Sequence, residues 1–179
     1  MSMPVVGRHS TNYKNLEANL YSVVRQLVEG VAFMHKNGVA HLDLKPQNVL
    51  VNEASGRLWI IDFSISEIVE SVDVVYEGFA GTKGHAAPEV SPGLYSPIRA
   101  DIWSCGKVIQ ELCERCGPSM DRDFLLRVSE KLMVEDPQER PELSAVVTWL
   151  SGSLNINGEN GRTRVHKFEV ENSKPIIVV

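Results

Sequence analysis

A stripe of apolar residues near the start of the chain places the strongest constraint on the fold. Apolar side chains recur there at every third or fourth position, which is the spacing of one face of an α-helix. They are Leu16, Leu20, Val23, Leu27, Val31 and Met34. Asn37-Gly38 follows and supplies a helix stop. A long helix, with one face that other elements must cover, is therefore predicted to end near residue 37.

Two short apolar runs come next and are separated by a polar loop. Residues 49–51 read VLV and residues 58–61 read LWII, with NEASGR between them. Runs of this length on either side of a turn predict a β-hairpin. Because the two strands are antiparallel, the loop before the first strand lies close to the loop after the second. Residues just before 49 and just after 61 are therefore expected to meet.

The second half of the chain is predicted to be helical. Residues 62–89 keep no period and contain four glycine or proline residues, so we interpret them as an ordered but irregular loop. Three further sets of apolar residues then recur at helical spacing. They are Ile102, Cys105, Val108, Ile109 and Leu112; Phe124, Leu125, Val128 and Leu132; and Leu143, Val146, Val147 and Leu150. The predicted fold class is mainly α, with one small β-hairpin.

Composition limits the classes of function. The chain has 179 residues, of which 43% are hydrophobic, enough for one domain or one lobe of a larger domain. Its net charge is −5 and it has no basic run, which argues against a nucleic-acid partner. No apolar stretch reaches the roughly 18 residues that span a bilayer, and the first residues show no secretory signal. We expect an intracellular, cytoplasmic protein without a nucleic-acid or membrane partner.

The three cysteines do not form a disulfide framework. Cys113 and Cys116 make a CxxC pair, which is a weak zinc signal without a second pair of ligands. Their i, i+3 spacing places both on one helix face, so helix packing is favoured over metal binding.

Residues 41–48, HLDLKPQN, place a carboxylate, an ammonium group and an amide on one loop before the hairpin. Asp43 can orient a hydroxyl nucleophile and accept its proton, and Lys45 can neutralise charge on a transferring phosphoryl group. The amide oxygen of Asn48 can bind a hard cation such as Mg²⁺. Asp62, just after the hairpin, supplies a carboxylate for the same ion. This set of side chains predicts phosphoryl transfer.

With four further motifs, this loop resembles the catalytic lobe of the eukaryotic protein kinases. HLDLKPQN is similar to the family's H-R-D-L-K-x-x-N, IDFS to D-F-G, and AAPE to A-P-E, in that order. DIWSCG resembles D-x-W-S-x-G, and DPQERP contains Arg140, which by resemblance pairs with Glu89 of AAPE. The resemblance implies a helical large lobe of the kinase-like fold over residues 13–150, with the small hairpin carrying the catalytic and metal-binding loops. Residues 1–12 are then a flexible N-terminus, and residues 151–179 a polar linker or tail.

The resemblance also implies a serine/threonine protein kinase that uses ATP and Mg²⁺. Asp43 is implied as the catalytic base, Lys45 as a phosphate contact, and Asn48 and Asp62 as Mg²⁺ ligands. Lys45, Asn48 and Asp62 together would bind the nucleotide cofactor. Lys45 and Thr82 are typical of the serine/threonine branch, and Thr82 is expected to form hydrogen bonds near Asp43 and Lys45.

Two other residues take structural roles by the same resemblance. His41 is implied as a buried hydrogen-bonding residue, since Asp43 already provides a proton acceptor. Asp101 is expected to cap backbone amides beneath the catalytic loop, which would otherwise lack partners.

Several features depart from the family pattern. The residues before the first helix contain no glycine-rich loop, strand lysine or helix glutamate to hold ATP, so little activity is expected from this chain alone. Leu42 replaces the arginine that grips an activation-segment phosphate, Ser64 replaces the glycine of D-F-G, and His85 replaces an aromatic residue. The interval 113–123 is short, so one helix of the substrate-docking surface is expected to be reduced or absent.

Two kinds of function therefore remain open. The first is a kinase catalytic domain that lacks its N-terminal lobe, and the second is a noncatalytic kinase-like module that binds partners. The joint presence of Asp43, Lys45, Asn48 and Asp62 favours the first. A small-molecule kinase of related fold is less favoured because of the AAPE and DIWSCG motifs. The sequence specifies neither the protein substrate or partner nor the oligomeric state.

Overall fold

The computed structural model describes residues 8–91 and 93–152. Those residues form four α-helices and seven short strands. The helices are α1 (Leu16–Lys36), α2 (Pro97–Glu114), α3 (Met120–Leu132) and α4 (Leu143–Gly152). The strands are β1 (Arg8–His9), β2 (Val39–Ala40), β3 (Val49–Val51), β4 (Leu58–Ile60), β5 (Glu67–Ile68), β6 (Tyr76–Glu77) and β7 (Leu94–Tyr95). The mainly helical class predicted from the sequence is confirmed.

The predicted hairpin is formed by β3 and β4. Val49 pairs with Ile60 and Val51 with Leu58, in antiparallel register. β1 joins the outer edge of β3, which gives a three-stranded sheet of order β1-β3-β4. The irregular segment 62–89 contributes two isolated pairings, β5 with β2 and β6 with β7. The hairpin thus stands at one end of the helical body, directly above the catalytic loop.

The helical body is built on the two longest helices. All six residues of the α1 stripe are buried, as are the predicted core positions of α2. Ser96 caps α2 by accepting a hydrogen bond from the Arg99 N–H, and Pro97 occupies its first turn. A Cβ on Gly106 would lie 3.0 Å from the Cβ of Leu132, so glycine at this position lets α3 approach α2 closely. None of the helices in the described ranges is both long and apolar enough to cross a bilayer.

The start of the chain differs from the expected flexible N-terminus over residues 8–12. Arg8 and His9 pair with β3, and Ser10 is fully buried at the start of a 3-10 turn. This short polar segment carries no periodic signal, because its order comes from pairing with a strand more than forty residues away. Residues 1–7, Pro92 and residues 153–179, with the expected tail, lie outside the described residues.

The connection between α2 and α3 is short, as predicted. Residues 115–119 link the two helices directly, without a further helix between them. Gly117 donates its N–H to Glu17 Oε1 at 3.1 Å, and Ser119 caps α3 through the Arg122 N–H. Met120, at the start of α3, is 81% exposed, so an apolar side chain does face solvent at this end.

The cysteines are buried free thiols in the helical body. Burial raises the pKa of the Cys113 thiol to about 12, and it raises the pKa of Cys116 as well. Both thiols are therefore protonated at neutral pH, which is unfavourable for metal binding or thiolate chemistry.

One buried ion pair connects the segment before α2 to the segment before α4. Arg140, 2% exposed, forms a bidentate pair with Glu89 at 2.6 and 2.9 Å. Its remaining N–H groups donate to the backbone carbonyls of Val134, Arg99 and Glu135. The predicted Glu89–Arg140 pair is confirmed, and every donor of the guanidinium has a partner.

We expect Arg140→Met to lower the free energy of unfolding by about 3 kcal/mol, because it leaves the Glu89 carboxylate and three carbonyls without their donor. Urea denaturation of the purified chain measures this change. Arg127→Met, which removes an exposed arginine from α3, serves as the matched control. Equal urea midpoints for Arg140→Met and Arg127→Met would contradict the stabilising role of the Glu89–Arg140 pair.

Candidate active site

The catalytic loop rests on one carboxylate of α2. Asp101 is fully buried, its Oδ2 accepts the His41 N–H at 2.6 Å, and its Oδ1 accepts the Leu42 N–H at 2.7 Å. His35, near the end of α1, places Nε2 3.2 Å from Oδ2. The predicted capping role of Asp101 is confirmed. α1, α2 and the catalytic loop therefore meet at a single side chain.

The backbone at Leu42 adopts an unusual conformation. Its φ is +65°, in the left-handed region that costs a non-glycine residue about 1–2 kcal/mol. The bond to Asp101 and the burial of the Leu42 side chain hold this conformation. Gly81 approaches from the other side with φ +97°, and a Cβ there would lie 2.6 Å from the Leu42 carbonyl oxygen. Glycine at position 81 therefore lets the backbone of the loop that contains Thr82 approach the catalytic loop closely.

His41 connects the catalytic loop to the end of the hairpin. Its Nε2 lies 3.0 Å from the Ile61 carbonyl, which can only accept, so Nε2 carries the proton. Nδ1 then accepts the Asp43 N–H at 3.2 Å. The ring is fully buried and packs edge to face against the ring of Phe63, with 4.8 Å between the ring centroids. The predicted structural role of His41 is confirmed.

Asp43 is the centre of a network of side chains. Lys45 Nζ donates to Asp43 Oδ2 at 2.7 Å and to Thr82 Oγ1 at 2.9 Å. The Thr82 hydroxyl in turn donates to Asp43 Oδ1 at 2.6 Å. Asn48 Nδ2 donates to the Asp43 carbonyl at 2.8 Å and to Oδ2 at 3.1 Å. The predicted position of Thr82 is confirmed, and both carboxylate oxygens face fixed donors.

The network sets the protonation of Asp43. Partial burial alone raises the pKa of the carboxyl group, but hydrogen bonds from Lys45, Thr82 and Asn48 and the charge of Lys45 outweigh it. The pKa of Asp43 is lowered as a result. Asp43 is therefore a carboxylate at neutral pH, able to accept a hydrogen bond from a hydroxyl group.

Asn48 and Asp62 lie on the two loops that the hairpin brings together. The Asn48 carbonyl accepts the Ile61 N–H at 2.9 Å, which places the residue before Asp62 against the catalytic loop. The side-chain amide of Asn48 donates toward Asp43, so its oxygen faces the opposite direction. Asp62 is exposed, has φ +67° and accepts a hydrogen bond from Ser64 Oγ at 2.8 Å. The amide oxygen of Asn48 and the exposed carboxylate of Asp62 are hard ligands of the kind Mg²⁺ prefers.

Two residues of the site carry no signal in the sequence. His35 falls on α1 like any polar residue, and its bond to Asp101 depends on how α1 packs against α2. Ser66 Oγ donates to the His41 carbonyl at 3.2 Å, from a loop without periodicity. His85 stands where the family resemblance implies an aromatic residue. Its Nε2 lies 2.8 Å from Glu111 Oε1 on α2. These contacts depend on the packing between distant segments.

Comparison with known proteins confirms the family indicated by the motifs. A model of the protein kinase domain matches residues 6–149. The chain is 34% identical over 152 residues to CBL-interacting serine/threonine-protein kinase 5 of Arabidopsis thaliana, with 70% of this chain and 34% of that relative covered. It is 44% identical over 133 residues to CBL-interacting protein kinase 16 of Oryza sativa subsp. japonica, with 72% and 27% covered. The corresponding values for Calcium-dependent protein kinase 4 of Plasmodium falciparum (isolate 3D7) are 36% over 118 residues, 63% and 22%. The chain thus spans about a third or less of the length of these relatives.

Replacing Lys45 with methionine is expected to raise the pKa of Asp43. The change removes a cation and a hydrogen-bond donor, while the burial that disfavours the charged form remains. An NMR titration of the Asp43 carboxyl carbon measures the shift. A lowered carboxyl pKa stabilises the fold above the unfolded value of about 3.9, and this stability is lost as the pH falls through the folded pKa. The variant should therefore also unfold at a higher pH in an acid titration.

Lys83→Met is the matched control for this titration, because Lys83 is an exposed lysine beside Thr82. It should leave the pKa of Asp43 where it is. A pKa that stays low in Lys45→Met would show that Lys45 does not hold the carboxylate ionised.

Proposed function

The chain belongs to the protein kinase family, and we propose that it provides the catalytic lobe of a serine/threonine kinase that transfers the γ-phosphoryl group of ATP to a protein hydroxyl group. The observation that carries the proposal is the Asp43 carboxylate, which is ionised and fixed on both oxygens by Lys45, Thr82 and Asn48. A purely structural loop does not require a partly exposed carboxylate held in this way. The similarity to CBL-interacting serine/threonine-protein kinase 5 of Arabidopsis thaliana also supports the serine/threonine branch and the kinase activity.

In this proposal Asp43 first orients the substrate. A serine or threonine hydroxyl group donates a hydrogen bond to the carboxylate, which turns the hydroxyl oxygen toward the phosphorus atom. The lowered pKa makes Asp43 a weak base, so it accepts the proton only as the new oxygen–phosphorus bond forms, the bond from the γ-phosphorus to ADP breaks with ADP leaving, and the hydroxyl group becomes acidic. Lys45 lies next to the same site and offsets negative charge on the transferring group.

Asn48 and Asp62 would hold Mg²⁺ through the amide oxygen and the carboxylate. Bound Mg²⁺ neutralises charge on the phosphate oxygens of ATP and orients them. The bond from Asn48 Nδ2 to Asp43 fixes the side-chain amide of Asn48 and leaves its oxygen available as the ligand that would hold Mg²⁺. The bond from Ser64 limits the movement of the Asp62 side chain. Ser64, which replaces a family glycine, thus contributes a contact with the proposed ligand.

We also propose that the activation segment, residues 62–89, is held in place without a phosphate group bound by an arginine at position 42. Leu42 offers no cation, and the segment is held by other contacts. These are the pairing of β5 with β2, the bond from Thr82 to Asp43 and the ion pair of Glu89 with Arg140. Together these contacts support a site that is arranged without modification of the segment.

Binding of ATP by the purified chain tests the proposed function. Isothermal titration with millimolar ATP should show binding that depends on Mg²⁺, and Asp62→Ala should weaken it by at least ~10-fold because a charged metal ligand is lost. Asp43→Asn should retain most of the binding and lower phosphoryl transfer by at least ~100-fold. Asp73→Ala, an exposed carboxylate of the same segment, is the control and should bind as the unmodified chain does.

The alternative function is a noncatalytic kinase-like module. Absence of ATP binding by the unmodified chain at millimolar ATP and Mg²⁺ would reject autonomous catalysis and favour that alternative. Binding with equal affinity in Asp62→Ala and in the control would reject the assigned metal ligand.

A further inference from the structure

We propose that His9 and Ser10 are positioning residues that fix Asn48 for metal binding; this inference rests on the proposed function of the site. The two residues are called the N-terminal clamp below. They lie in a segment without a sequence motif, and they contact neither Asp43 nor Asp62 directly. Their side chains instead bind the turn that carries Asn48.

The clamp is held over the catalytic loop by strand pairing. In β1, His9 lies opposite Leu50 of β3, so the chain runs directly above residues 46–48. The Nδ1 atom of His9 lies 2.8 Å from the Gln47 carbonyl oxygen, and it donates because a carbonyl only accepts. Ser10 is fully buried, and its Oγ donates to the Pro46 carbonyl oxygen at 3.3 Å. Two consecutive carbonyl groups of one turn are therefore bound from the same side.

That turn also has restraints of its own, since Pro46 and Asn48 are buried and the Pro46 carbonyl accepts the Val49 N–H. Pro46–Asn48 forms a single 3-10 turn, and Pro46 has no N–H to anchor its start. The Asn48 N–H donates to the Lys45 carbonyl, and the Asn48 carbonyl accepts from Ile61. The clamp supplies the contacts on the remaining side. Asn48 directly follows Gln47, whose carbonyl His9 binds. Rotation of the turn would therefore redirect the side-chain amide of Asn48.

The orientation of Asn48 affects both parts of the site. Its amide donates to Asp43, and its oxygen is the proposed Mg²⁺ ligand. Partners that orient a metal ligand without touching the metal commonly change metal affinity by about 10–100-fold when removed. The clamp is therefore expected to act mainly on the Mg²⁺ requirement, with little effect on contacts made to the nucleotide itself.

The same strand provides a matched control. Arg8 Nε lies 3.2 Å from Glu53 Oε1, an ion pair between an exposed arginine and a half-buried glutamate on the loop of the hairpin. Arg8→Gln removes this contact without altering a bond to residues 46–48. Surface ion pairs of this kind contribute little to stability. Any effect of merely loosening β1 should thus appear in Arg8→Gln as well as in the clamp variant.

The experiment compares the double variant His9→Ala, Ser10→Ala with Arg8→Gln in the full chain. In the double variant, the Mg²⁺ concentration that gives half-maximal ATP binding should rise about tenfold, while ATP binding at saturating Mg²⁺ stays the same. The NMR signals of the Asn48 side-chain amide should shift, and hydrogen exchange of the Asn48 and Ile61 amides should become faster. Exchange in α2 should remain slow in both variants, which shows that the fold is intact.

The NMR and exchange measurements do not require nucleotide, so the clamp and the proposed function can fail separately. If the unmodified chain binds no ATP, the proposed function fails and the clamp is judged on the Asn48 and Ile61 signals alone. Unchanged Asn48 and Ile61 signals in the double variant would overturn the clamp. An equal change in Arg8→Gln would overturn it too, since the effect would then belong to the strand as a whole.

Discussion

The carboxylate of Asp101 is the interaction on which the arrangement of the site depends. A buried charge without partners costs several kcal/mol, and at Asp101 two backbone N–H groups and the ring of His35 provide those partners. The same bonds hold Leu42 in a conformation that its side chain disfavours. The hydrogen bonds to Asp101 thus offset two costs at once, the desolvation of the carboxylate and the backbone strain at Leu42. Since Asp101 lies in the second turn of α2, on its buried face, the catalytic loop is anchored directly to the helical body.

The carboxylates of the site become more exposed with distance from this helix. Asp101 is fully buried and binds two backbone N–H groups and the ring of His35, Asp43 is partly exposed and is held by side chains, and Asp62 is open to solvent. Each environment suits a different task. A buried carboxylate can fix the backbone geometry, and a partly exposed carboxylate can exchange hydrogen bonds with a substrate. An exposed carboxylate can bind a hydrated ion at low desolvation cost. Burial and hydrogen-bond partners thus differentiate three carboxylates of the same chemistry.

How much of the fold and of the site could be predicted from the sequence depends on how far apart in the chain the interacting residues lie. The α1 stripe, the hairpin and the short link before α3 were predictable, because each depends on local periodicity or on chain length. Thr82, Asp101 and the Glu89–Arg140 pair were predicted through family motifs, and the structure gives their bonds. His35 and the segment 8–12 were not predictable, because polar residues without a period acquire partners only when distant segments pack. Within the segment predicted as a flexible N-terminus, residues 8–10 contact β3 and the turn of the catalytic loop.

The short link between α2 and α3 also bears on how the lobe assembles. Five residues join two helices that pack closely at Gly106, so this interface closes a small loop at low entropic cost. The contact of α1 with α4 is of the opposite kind, since the Tyr21 hydroxyl donates to the Leu150 carbonyl across 129 positions of sequence. Local contacts form faster than distant ones. We therefore expect the α2–α3 hairpin to form before α4 docks on α1.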